Sequence, residues 1–93
     1  MKLSEFFADE TKWKQYDTGK RGEARCFMGA IVECYTYEEI LGKNLCYELS
    51  TIIQMLYPER VKNALLGLVI PRFNDHPDTT IEDIRRVCKF ADR

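Results

Sequence analysis

The sequence predicts an all-α fold: a compact single-domain bundle of four to five short helices over residues 1–93, with an irregular or hairpin-like segment around residues 12–22. Three observations carry that expectation. Apolar residues recur at three- and four-residue steps in several separate windows, the spacing of a core-facing helical stripe. Capping and stop residues stand at the ends of those windows. No run sustains the period-two alternation of a half-buried strand.

In chain order, Leu3-Ser4-Glu5-Phe6-Phe7 predicts a short first helix with Ser4 as N-cap and acid in its first turn. Trp13 to Arg21 is the least helical stretch, and Asp17-Thr18-Gly19 is turn chemistry with Gly19 free to take positive φ. The window GEARCFMGAIVECY repeats Cys26, Phe27, Ala30, Ile31 and Cys34 as a second helix. Gly29 inside it costs ~1 kcal/mol relative to alanine, which points to a close helix contact.

A third helix is expected from about Asn44 to Tyr57, with Leu45, Leu49, Ile52, Ile53 and Leu56 buried and Pro58 closing it. Pro58 suits the first turn of a fourth, PERVKNALLGL, with Val61, Leu65 and Leu68 inward and Ile70-Pro71 ending the segment. The last helix has two capping-box registers, Thr79 with Glu82 or Thr80 with Asp83. Its stripe is Ile81, Ile84, Val87, Cys88 and Ala91.

Size and composition then exclude classes of function. Folding 10.9 kDa removes roughly 65% of the unfolded chain's surface from water, which suffices for one core without staples. The longest apolar run, Ala64 to Ile70, is far short of the ~20 residues of a membrane span. The N-terminal residues lack an uninterrupted apolar stretch, so a cytoplasmic protein without a signal peptide is expected. A net charge of -1 supplies no field toward nucleic acid or anionic lipid.

The four cysteines, Cys26, Cys34, Cys46 and Cys88, include no CxxC pair and have one histidine to join them. A zinc site needs ligands grouped at short spacing, so no metal is expected, and no cofactor motif is present either. On one helix Cys26 and Cys34 lie about 12 Å apart by rise, beyond a disulfide. All four are expected to be reduced core thiols.

Three places carry candidate chemistry. In FNDHPDTT, Asp75 and His76 offer an acid/base pair with Asn74 beside it, but no nucleophile stands near in sequence. The structural alternative is fuller: Asn74 and Asp75 fold onto nearby backbone, Pro77 sets a turn and Thr79 caps the next helix. Catalysis is therefore not expected, and a small-molecule pocket near Asn74, Asp75 and His76 is the weaker option.

The second place is Lys12 to Arg25, where Lys12, Lys14, Lys20, Arg21 and Arg25 interleave with Trp13 and Tyr16, ingredients of a phosphate-and-stacking surface. Asp17 and Glu23 within it and a pI of 5.8 weigh against nucleic acid. The third is a tyrosine rim, Tyr35, Tyr37, Tyr47 and Tyr57, which are either interface anchors or amphipathic borders of the core.

Trp13-Lys14-Gln15, then Cys26-Phe27-Met28-Gly29-Ala30-Ile31, then Phe73-Asn74-Asp75 before the Thr79-Thr80 helix start form an ordered set. That order resembles a family of small helical proteins from bacteria and their phages, of no known function, with a W-x-Q, a C-x-x-G-A and an aromatic-Asn-Asp motif. The resemblance covers most of the chain, although the segment between Trp13 and Cys26 is brief. It implies that Trp13, Gly29, Asn74 and Asp75 define the fold, with Trp13 and the Asn-Asp turn meeting in space and Asn74 or Asp75 satisfying backbone donors around the N-terminal irregular segment. A phage origin implies a protein that binds a host component.

The expected function is accordingly non-enzymatic: a protein–protein interaction module, phage-encoded, acting on a host or defence factor. Nucleic-acid binding through Lys12, Trp13, Lys14, Tyr16, Lys20 and Arg21 is the alternative. A chain this small is also compatible with pairing of copies through a helix face.

Overall fold

The computed structural model describes residues 1–93 and contains six α-helices, three short 3₁₀ turns and no strand. The helices are α1 (Leu3–Phe6), α2 (Phe27–Cys34), α3 (Tyr37–Gly42), α4 (Leu45–Leu56), α5 (Val69–Asp75) and α6 (Ile81–Ala91). The all-α expectation holds.

Buried apolar side chains from every helix but α3, together with Phe7 and Val61, form one cluster, so the chain closes a single core. Its axis is α4, which packs on α5 and α6, while α2 lies against α1 and α5. The radius of gyration is 11.9 Å, against about 12 Å expected for a folded chain of this length.

α4 shows why the strongest stripe became the longest helix. Leu45, Leu49, Ile52 and Ile53 are all buried, at spacings of four, three and one. Pro58 then forces Tyr57 out of helical geometry, to φ -135 and ψ 55, and the helix stops. In α6, of the two capping registers, the chain uses Thr80 with Asp83: the Thr80 hydroxyl accepts from Asp83 N–H and the Asp83 carboxylate from Thr80 N–H. Thr79 is buried instead, and its hydroxyl accepts from Arg60.

Several expectations are corrected. No helix runs from Pro58 through Leu68. Two 3₁₀ turns, Pro58–Arg60 and Leu66–Leu68, replace it, separated by Asn63 at φ 62. Of the three residues expected inside, only Val61 is buried. Pro71 does not end a segment but stands third in α5. The first four N–H groups of a helix lack intrahelical acceptors, so a proline there costs no bond.

α3 was not anticipated, although Thr36 and Glu39 close a reciprocal capping box at its start. Ser4 lies within α1 rather than capping it; the cap position is Lys2, whose N–H donates to Glu5.

The irregular segment is real, and it is a strap rather than a hairpin. After a 3₁₀ turn at Glu10–Lys12, Trp13 and Arg25 meet in an isolated parallel bridge, with Arg25 N–H donating to the Lys12 carbonyl at 2.8 Å. Asp17 accepts from Gly19 N–H at 2.9 Å and Gly19 takes φ +69, as the turn chemistry predicts. Gly29 does permit a close approach, but to this strap and not to another helix. A Cβ there would stand 2.3 Å from the Thr18 carbonyl oxygen.

All four cysteines are unpaired, and only Cys88 is a core thiol in full. Burial pushes its pKa up to about 12, so it carries no thiolate at neutral pH. Cys26 instead caps α2, its sulfur accepting from Gly29 N–H at 3.4 Å.

Candidate functional site

The histidine-bearing stretch begins as the last turn of α5. Phe73 anchors that turn in the core, which directs Asn74 inward to 1% exposure. A buried carboxamide must find partners for both ends. Asn74 Oδ1 accepts from the Trp13 indole N–H at 2.7 Å and from Phe27 N–H at 3.0 Å. Its Nδ2 donates to the Lys14 carbonyl at 3.2 Å and to Asp75 Oδ1 at 3.0 Å. Phe27 is the first residue of α2, so its N–H has no intrahelical acceptor, and Asn74 serves it as a cap from 47 residues away.

Gln15 does the converse for α5. Its side-chain amide donates to the carbonyls of Asn74 at 3.0 Å and His76 at 2.8 Å, groups at the helix end. Asp75 accepts Tyr16 N–H at 2.8 Å, where Tyr16 sits at φ 68.

Trp13 and the Asn74-Asp75 pair thus meet, as the resemblance implied. One detail of that implication is corrected: the pair is helical, not a turn. Asp75 does satisfy a backbone donor of the N-terminal segment, as the resemblance also implied, and the alternative that both side chains fold onto nearby backbone is corrected. His76, just past the helix, uses Nδ1 to accept Asp78 N–H at 3.0 Å. No thiol or hydroxyl is hydrogen-bonded to His76 or Asp75. His76 and Asp75 line an open groove with Leu68, Pro71, Arg72 and Pro77.

The basic segment is largely tied to itself. Lys12 donates to the Gly22 carbonyl, Lys14 pairs with Asp17, and Arg25 binds both the Thr18 carbonyl and Glu33. Burial works against the Glu33 charge, but Gly22 N–H and Arg25 outweigh it and hold its pKa below the usual range. Trp13 is packed against the core with its N–H engaged, which leaves Tyr16, Lys20 and Arg21 exposed.

The tyrosine rim divides. Tyr35 is half-buried and donates to the Arg93 carbonyl at 3.2 Å. Tyr57 packs on Phe73 and lies under the guanidinium of Arg60, while its hydroxyl reaches Asp83 at 3.2 Å. Both belong to the frame of the fold. Tyr16, Tyr37 and Tyr47 are exposed.

Sequence reasoning missed one surface. Leu65, Leu66 and Leu68 are 74%, 48% and 46% exposed, three leucines within four residues. Leu66 lines a groove of about 270 Å³ with Met28, Asn44, Cys46, Tyr47, Ser50, Gly67 and Ile70, while Leu68 lines the groove at His76. The signal was present: residues 65, 66 and 68 cannot all occupy one narrow helical stripe.

No group of His, Cys, Asp and Glu is arranged to hold a metal ion, and no helix is long and apolar enough to cross a membrane. Compared with protein-family models, curated proteins and solved structures, the chain gives no match.

Proposed function

We propose that this protein works by binding another protein through the face formed by Tyr47, Leu65, Leu66 and Leu68. The exposure of three leucines within four residues carries the reading. Apolar side chains scattered singly over a surface are ordinary, but clustered ones mark interaction sites. Tyr47 and Leu66 line one groove, and an aromatic next to aliphatic area is the composition of an interface centre. The resemblance to bacterial and phage proteins extends the partner to a host or defence factor.

The nucleic-acid reading is left with Tyr16, Lys20 and Arg21 once Lys12, Lys14 and Arg25 are engaged within the strap, which is little for phosphate tracking. The groove at His76 supports a small-molecule reading less well, because its histidine and aspartate already bond main-chain N–H groups.

The test is capture from host lysate by the wild-type chain and by a Leu65→Glu/Leu68→Glu variant, with circular dichroism to show that both fold. A partner held by the wild type and lost at least tenfold by the variant is the expected result. Equal retention by both, or a low-salt nucleic-acid shift with no captured protein, would overturn it.

A further inference from the structure

We infer that the groove between α4 and the Leu66–Leu68 turn is a receptor for one tyrosine side chain of the protein partner. This rests on the protein-binding reading above. Three features of the groove define its occupant.

The first is charge. None of its lining residues is a carboxylate, a lysine, an arginine or a histidine, whereas each of the other surface concavities carries carboxylates, basic groups or both. Complementarity therefore selects a neutral group. The second is shape and wall chemistry. At about 270 Å³ the groove falls below the ~300–1,000 Å³ of small-molecule pockets, so it suits one large side chain. Met28 and Cys46, both sulfur-bearing, line it together with Tyr47, Leu66 and Ile70. Sulfur makes favourable contacts with aromatic ring edges, which favours a ring over an aliphatic chain.

The third is Ser50. It is 3% exposed and lines the groove, and its hydroxyl is not among the fully buried, internally bonded polar atoms. Thr51, the next residue, returns its hydroxyl to the Tyr47 carbonyl at 2.9 Å, the ordinary outcome on a helix. Every fully buried side-chain nitrogen and oxygen in the protein is bonded. The Ser50 hydroxyl is thus a nearly buried polar group that still reaches solvent at the groove, where a ligand hydroxyl can take the place of water. A phenol offers its ring to these lining residues and a hydroxyl to Ser50.

The experiment is a ¹⁵N-resolved NMR titration of the full chain with N-acetyl-tyrosinamide, N-acetyl-phenylalaninamide and p-cresol. Saturable shifts should fall on Cys46, Tyr47, Ser50, Leu66 and Gly67. The tyrosine probe should bind about tenfold tighter than the phenylalanine probe, roughly what one hydrogen bond contributes. Ser50→Ala, which removes one oxygen, should abolish that preference while leaving both probes at the same amides.

No saturable shift there, or a tyrosine preference that survives Ser50→Ala, overturns the assignment even if lysate capture still depends on Leu65 and Leu68. Binding of p-cresol alone, with neither amino-acid probe bound, also overturns it and makes the groove a site for a free phenol.

Discussion

Two neighbouring regions share Met28 in their linings and are opposites in chemistry. At the strap junction, Asn74 alone takes part in four side-chain hydrogen bonds, and Gln15, Asp75 and Trp13 complete a closed network. On the α4 side, exposed Leu66 lines a groove beside the nearly buried Ser50. The residues with the most reactive appearance in the sequence build the joint. Those with the least, a run of leucines, hold the free surface. A buried polar group must be bonded or it destabilises the fold, so a dense polar cluster is usually complete in itself. Capacity to bind remains where the chain has not satisfied itself.

The largest effect that would sharpen this contrast is expected from Asn74→Ala. It strips the acceptor from the Trp13 indole and from Phe27 N–H and unties the Lys14 carbonyl. With each orphaned group costing about 1–3 kcal/mol, the loss should reach about 3 kcal/mol or more. For a domain of this size that lowers Tm by at least about 12 °C, read by thermal melts. A fall of only a degree or two would mean that the junction is dispensable and the contrast false.

Gly29→Ala comes next. Its Cβ meets backbone, the Thr18 carbonyl oxygen at 2.3 Å, so the strap must move. Overpacking should outweigh the ~1 kcal/mol gain in helix propensity and leave about 1–2 kcal/mol of destabilisation in urea. A stabilised variant would show that the strap is not seated on α2.

Asp83 gives an effect of similar size at neutrality, with a pH signature. Burial works against its charge, but Arg60, Thr80 N–H and the Tyr57 hydroxyl together hold its folded pKa below 3.8. The folded state therefore binds fewer protons, and the stability it contributes is present above pH 3.8 and lost as pH falls through the folded value. Asp83→Asn should lower stability at pH 7 by about 1–2 kcal/mol and flatten that acid-side loss. Denaturant titrations at several pH values would check it; parallel curves for the two proteins would count against the ion pair.

The smallest effect on stability is expected on the other side of the comparison. Leu65→Ser should change unfolding by no more than about 0.5 kcal/mol, as at any exposed site, while partner capture falls. A large destabilisation would place this leucine in the core and remove it from the binding face.

How much of this was legible varies by residue. The stripes of α2, α4 and α6 could be read directly, because burial on one side of a helix imposes its period on the sequence. Gly19 could be read from turn chemistry alone. α3 announced itself in Thr36 and Glu39, yet it buries no residue fully, so it had no stripe to accompany the cap. Residues 58–68 misled because their apolar content is helix-like, while Asn63 in the left-handed region breaks the path.

By itself, then, the sequence determined the helical class, the single core and the principal helices, since propensity, periodicity and capping act within a few residues of chain. Only the tertiary structure decided that Asn74 caps a helix 47 residues before it, that Gly29 clears room for the strap, and that Leu65 stands exposed while Ser50 is nearly buried at a groove. Those outcomes depend on which buried groups meet across the core, and hydrogen-bond satisfaction between distant segments leaves no periodic mark in the sequence.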